Sequence, residues 1–169
     1  GVSTNAGLGT SLEHVWRRVF GFATIAYNKF EWAQKRRLWE GEISTHPDER
    51  LYRVLLGGKI EWLEGTDDIV ESQRLRLGRT RDRGRIEQLY FVEGERSERR
   101  TESTDTSTVA LSANYHATLR RIDSVLLPTR GYTLNAQVGL GRSQGTDSDK
   151  GWFTRAYGRF IGYLPLGNW

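Results

Sequence analysis

From Gly131 to Gly141 the chain alternates between two kinds of residue, directly after a turn at Pro128-Thr129-Arg130. Tyr132, Leu134, Ala136, Val138 and Leu140 share one parity, and Thr133, Asn135, Gln137, Gly139 and Gly141 share the other. Successive side chains of a strand point to opposite faces. The segment is therefore expected to carry an apolar surface on one side and a small, uncharged, polar surface on the other. A barrel wall between hydrocarbon and water needs that contrast. A soluble β-sandwich shows it too, so the weight rests on whether the pattern recurs.

It recurs along the whole chain, which reads as about nine strands separated by turn residues. Leu8 to Arg18 sets Leu8, Leu12 and Trp16 against Ser11 and Glu13. Ala23 to Gln34 sets Phe30 and Trp32 against Lys29 and Glu31, and Leu38 to Thr45 sets Trp39 and Ile43 against Glu40 and Glu42. In Tyr52 to Leu63, Val54, Leu56, Ile60 and Trp62 oppose Lys59 and Glu61. Ile69 to Thr80 and Arg85 to Glu95 are less regular, and Leu89 to Val92 is apolar on both parities. Strict alternation returns in Thr108 to Arg121. The last two strands are Tyr132 to Arg142 and Trp152 to Leu164, and in the final one Ala156, Gly158, Phe160, Gly162 and Leu164 oppose Arg155, Tyr157 and Arg159. Glycines scattered through these segments would damage helices.

Strands near ten residues match a tilted bilayer crossing, whereas soluble strands average about five or six. Trp16, Trp32, Trp62, Trp152 and Tyr132 fall near strand ends, where aromatic girdles sit. The connections divide as well. Arg18 to Phe22, His46-Pro47-Asp48 and Val125 to Gly131 carry apolar residues or Pro, while Glu64 to Asp68, Arg96 to Thr106 and Ser143 to Lys150 are wholly polar. In an up-and-down sheet the two kinds are expected on opposite rims, provided Asn5-Ala6-Gly7 is a hairpin tip.

Composition narrows the class without choosing between the β readings. In 169 residues, 37% hydrophobic, no run approaches the roughly 20 apolar residues of a membrane helix. Membrane strands escape that test because only alternate residues face lipid. Cysteine is absent, which removes disulfides, thiolate nucleophiles and zinc-cysteine sites. The net charge of +4 comes from 25 basic and 21 acidic residues interspersed along the chain, unlike a nucleic-acid surface. The absence of Met and of a signal peptide leads us to expect a processed, excised or engineered segment.

Three stretches carry a family resemblance: Gly1-Val2-Ser3-Thr4-Asn5-Ala6-Gly7, Asp123 to Tyr132 with its Leu-Leu-Pro-Thr-Arg-Gly-Tyr, and Tyr163-Leu164-Pro165-Leu166-Gly167. Together they resemble the barrel of the bacterial surface-antigen superfamily of outer-membrane assembly factors, most of all its translocation-and-assembly-module branch. The resemblance implies an antiparallel up-and-down transmembrane β-barrel of about 16 strands, of which about nine or ten are present here. Soluble periplasmic repeats and the remaining strands would lie outside residues 1–169. It further implies a Gram-negative outer-membrane location and a role in inserting or secreting other outer-membrane proteins without nucleotide. Membrane lipid, client proteins and a periplasmic partner are the implied partners. Arg130-Gly131-Tyr132 superficially matches the family's Arg-Gly-Phe/Tyr hallmark but reads as a rim turn with Asp123 and Pro128. Gly1, Val2, Ser3 and Thr4 would be the nearest remnant of the seam between first and last strands.

Parity assigns Lys59, Glu61, Arg74, Arg76, Asn135, Gln137, Arg155 and Arg159 to a watery lumen. It assigns Leu56, Ile60, Leu111, Tyr115, Leu134, Val138 and Phe160 to lipid. Arg74 and Arg76 are expected to pair with Glu61, Glu87 or similar neighbours, and Arg79, Arg81, Arg83 and Arg85 to crowd a hairpin tip near anionic headgroups or lipopolysaccharide phosphates. No enzyme is expected. His14, His46 and His116 share no short spacing, Asp147-Ser148-Asp149 lacks the Gly and Glu of an EF-hand loop, and Gly139-Leu140-Gly141 lacks the third Gly of a dinucleotide site. No cofactor or metal follows from these residues. Two rival readings remain open: a passive or trimmed pore, and a soluble β-barrel holding an apolar ligand.

Overall fold

A computed structural model describes residues 2–3, 7–124, 126, 129–146 and 150–164. It is all-β. Nine long strands form one antiparallel meander: β2 (Gly7–Arg17), β3 (Thr24–Ala33), β4 (Arg36–Thr45), β5 (Tyr52–Glu64), β6 (Asp68–Asp82), β7 (Ile86–Thr101), β8 (Asp105–Ile122), β9 (Gly131–Gly145) and β10 (Gly151–Tyr163). A two-residue strand, β1 (Val2–Ser3), pairs with the start of β2 at Val2↔Leu8 and Ser3↔Gly7. Spatial order follows chain order throughout. Among the described residues β10 pairs only with β9, so this sheet is not closed into a barrel.

Consecutive strands pair because each apolar parity meets another apolar parity, and a slip of one residue would mix them. The register carries one apolar row through Trp16, Ala26, Ile43, Leu56, Leu77, Val92, Ala113 and Leu140. The next row on the opposite face runs Glu42, Gly57, Arg76, Glu93, Ser112 and Gly141. Strand pairs β2–β3, β4–β5, β6–β7 and β8–β9 are joined at a first rim; β3–β4, β5–β6, β7–β8 and β9–β10 are joined at a second. The connections at Glu64 to Asp68 and after Thr101 fall on the second rim, opposite His46-Pro47-Asp48, but the first rim also carries the wholly polar Arg83-Gly84-Arg85 turn.

Three expectations about where strands end are corrected. Arg96 to Thr106 is not a loop: β7 continues to Thr101 and β8 begins at Asp105, leaving a turn of residues 102–104. Likewise β9 extends to Gly145, into the supposed loop from Ser143. Arg79 and Arg81 stand inside β6, opposite Tyr90 and Gln88, and only Arg83 and Arg85 belong to the turn. The physical reason is common to all three. These strand ends are polar on both faces, so no alternation marks them. Backbone pairing and cross-strand contacts such as Arg99 to Asp68 at 2.8 Å hold them extended instead.

Candidate functional site

Burial along the strands is inverted relative to a water-soluble sheet. On the apolar face Leu12 is 64% exposed and Leu111 61%, whereas on the polar face Glu93 and Asn114 are each only 8% exposed. All seven residues assigned to lipid lie on the apolar face: Leu56, Ile60, Leu111, Tyr115, Leu134, Val138 and Phe160. Tyr115 is the one covered among them, lying 4.8 Å from the Tyr90 ring and accepting a 2.9 Å hydrogen bond from Gln88 Nε2. All eight residues assigned to a lumen lie on the other face.

The polar face has a charged region and a neutral region. In the charged region a single register row crosses six strands as Glu13, Lys29, Glu40, Lys59, Arg74 and Glu95. Opposite charges directly across a strand pair attract, and only Lys59 and Arg74 break the alternation. Lys59 leans instead to Glu61 at 2.7 Å, and Arg36 bridges Glu61 at 2.7 Å and Glu31 at 3.1 Å. Arg76 donates from Nε and Nη2 to Glu93 Oε2 at 2.9 and 2.6 Å, while Arg74 reaches Glu95 at 3.3 Å. The expected partners of these two arginines are thus corrected. Glu61 serves Arg36 and Lys59, and Glu87 serves Arg120 at 2.8 Å, because the register sets Arg74 and Arg76 across from Glu95 and Glu93.

The neutral region covers Ser112 to Thr118 of β8 and Asn135 to Gly141 of β9. Thr118 donates to Asn135 Oδ1 at 2.8 Å, and Gln137 sits between His116 and Tyr157 in the register. A Cβ on Gly139 would collide with Asn114 Oδ1, so Gly139 is the space that side chain occupies. Arg155 and Arg159, on edge strand β10, are exposed. The apolar run at Leu89 to Val92 also finds its place: Phe91 turns to the polar face, where Gly78 lets it approach Leu55 and the Arg76 guanidinium stacks on its ring at 4.5 Å.

Aromatic residues mark both ends of the apolar face. Trp16, Trp32, Tyr132 and Trp152 each stand one residue inside a strand end, and Trp62 two residues inside. Between Trp32 and Trp62 lies Arg37, its guanidinium 4.8 and 5.0 Å from the two ring centroids. On the first rim, Arg79 and Arg81 flank the Tyr52 ring at 3.7 and 4.6 Å. Neither sandwich has a signal in the chain order. Both arise from register alone.

The rim-turn residues Asp123, Arg130 and Gly131 come together; Pro128 lies outside the described residues. Asp123 Oδ1 accepts the backbone N–H groups of Ser124, Thr129 and Arg130 at 3.0, 3.0 and 3.1 Å, and Oδ2 accepts the Thr129 hydroxyl. The Thr129 hydroxyl, then the Arg130 amide and the other backbone donors, hold its carboxyl well below the ordinary range. Gly131 has φ 122°, and a Cβ there would collide with Arg121 O, so no other residue fits. Thr129 is the partner that sequence reasoning missed.

Elsewhere the chemistry stays dispersed. His14 lies on the apolar face, His116 on the polar face and His46 in a turn. Among the described residues no three His, Asp or Glu side chains converge as metal ligands would. Asp147 to Asp149, the seam residues Gly1 and Thr4, the tip residues Asn5 and Ala6, and Pro165 to Gly167 lie outside the described residues. Compared with known proteins, the chain matches no family model, and no curated protein matches it significantly.

Proposed function

We propose that this chain forms a stretch of the wall of a transmembrane β-barrel in a bacterial outer membrane, belonging to a factor that helps other outer-membrane proteins insert or be secreted. The observation that carries the membrane reading is the inverted burial: an apolar face left open beside a polar face whose central charges, Arg36, Lys59, Glu61, Arg76 and Glu93, are half-buried or buried and paired. Exposed apolar areas of that extent need a cover, and hydrocarbon supplies one without any partner protein. A soluble barrel with an apolar ligand would turn the same rows inward.

The assembly role rests on the family resemblance and on the edges. Among the described residues, strands β1 and β10 are each paired along one side only, and an open side is a template on which an incoming strand can add. The test is reconstitution in lipid vesicles with an unfolded client barrel. The chain is expected to require detergent for extraction, to shift gel mobility on heating, and to accelerate client folding. Deleting residues 1–7 should abolish the acceleration while leaving strand content intact. Client folding unaffected by that deletion would sink the assembly role, and a monodisperse protein in plain buffer would sink the membrane reading.

A passive pore is the second reading, favoured by Lys59, Glu61, Arg155 and Arg159 sharing the polar face. Discrete conductance steps in planar bilayers, without any effect on clients, would select it.

A further inference from the structure

Arg79, Arg81, Arg83, Arg85, Arg120 and Arg121 lie toward the first rim, and one group of them surrounds a hollow. A cavity of about 490 Å³ opens between the 83–85 turn and the end of β8, lined by Gly84, Arg85, Arg120, Arg121 and Ile122. The Arg120 amide donates to Arg85 O at 2.8 Å, tying the turn to β8. The carboxylates beside these residues in the chain are all engaged: Glu87 accepts from Arg120 at 2.8 Å, Asp82 accepts the Gly84 amide at 2.7 Å, and Asp123 accepts the Ser124, Thr129 and Arg130 amides. Arg85 and Arg121 are exposed and have no ion-pair partner among the described residues. A cavity with two uncommitted guanidinium groups attracts an anion, and the planar fork matches phosphate oxygens.

The surroundings decide which phosphate. Arg121 stands on the apolar face, paired with Tyr132, at the very end of that face. The next row inward is Ile86, Leu119, Leu134 and Phe160, wholly apolar, and the Tyr132 ring stacks on Phe160 at 5.9 Å. A free phosphate uses the arginines and ignores that row, whereas a lipid uses both. We propose that the Arg85–Arg121 hollow holds the headgroup phosphate of an anionic glycerophospholipid, whose chains run along the Ile86–Leu119–Leu134 row. The assignment rests on the transmembrane reading above and extends it to a lipid preference.

The protein is reconstituted in vesicles of phosphatidylcholine alone and of phosphatidylcholine with phosphatidylglycerol, and retained lipid is counted by native mass spectrometry after mild release. Phosphatidylglycerol should be retained over phosphatidylcholine. Arg85→Gln and Arg121→Gln should each lower that preference about fivefold, while Arg155→Gln on the polar face should leave it unchanged. Should one of the two variants fail to insert, the other carries the comparison. Equal retention of the two lipids, or an unaltered preference in the variants, overturns the site. Displacement by inorganic phosphate at equal concentration assigns the hollow to a free anion and overturns the lipid. A protein that enters neither vesicle overturns the transmembrane reading itself, an outcome separate from loss of selectivity.

Discussion

Gln137 and Val138 are consecutive residues of β9, and everything around them differs. Gln137 is half-covered on the polar face between His116 and Tyr157, while Val138 is 54% exposed on the apolar face beside Tyr115 and Ala156. The same contrast recurs across the sheet: Asn114, Thr118 and Glu93 are buried, while Leu12, Leu75 and Leu111 are open. In water that arrangement forfeits hydrophobic stabilisation of about 25 cal/mol for each Å² left exposed. Under the proposed transmembrane reading, hydrocarbon covers that face. The polar face teaches a second lesson. Its charged region uses side chains for mutual neutralisation, whereas its neutral region replaces charge with glycine and lets Asn114 and Phe153 lie close against the backbone.

The largest expected effect tests the two faces directly. Val138→Arg should lower stability in a bilayer by about 2–4 kcal/mol, the range for an arginine near the midplane of a barrel exterior. Gln137→Arg, one residue away, should stay within about 0.5 kcal/mol. Denaturant unfolding of both variants in lipid vesicles makes the comparison, and equal effects would erase the distinction between the faces. Next comes the charged region. Arg76→Ala leaves the buried Glu93 carboxylate with only Arg74 Nε, 3.9 Å away, and should cost about 2 kcal/mol. Removing the more exposed Arg74–Glu95 pair should cost about 0.2–1 kcal/mol. The double variant Arg76→Ala/Glu93→Gln should recover some of the loss, and no recovery would mean that the pairing is not what Arg76 contributes.

A smaller effect is expected where the apolar face meets its edge. Arg37→Ala should lose about 0.5–1 kcal/mol from the two stacked indoles, together with a red shift of tryptophan fluorescence as Trp32 and Trp62 gain water. The smallest effect is confined to the 123–130 turn. Asp123 has a folded-state carboxyl pKa below its unfolded value, so its contribution is complete above the unfolded value, near 4, and is lost as pH falls below it. Amide-exchange protection at Thr129 and Arg130 should therefore fall in acid, and Asp123→Asn should remove the pH dependence. Protection that rises on acidification would contradict the assigned sign.

Much of the sheet was legible because period-two alternation reports which side of a strand each residue takes, and Leu134 through Val138 could be sorted with no neighbour known. The reading failed where both sides are polar. At Arg96 to Thr106 and at Arg79 and Arg81 nothing alternates, and pairing in three dimensions alone keeps the chain extended. Ion-pair partners were illegible for a different reason. Glu61, Glu87, Glu93 and Glu95 are equivalent as carboxylates, and only the register of β5, β6 and β7 selects Glu93 for Arg76. Thr129 and Arg37 were missed on the same ground, since each acts through a neighbour that folding brings to it.

Taken alone, the amino-acid order determined the number of long strands and their alternating faces. These are local properties, set by side-chain polarity two residues apart. Tertiary pairing decided which charges neutralise one another, where the strands stop, and that both edges stay open among the described residues. Those outcomes depend on distances between segments that no local pattern encodes.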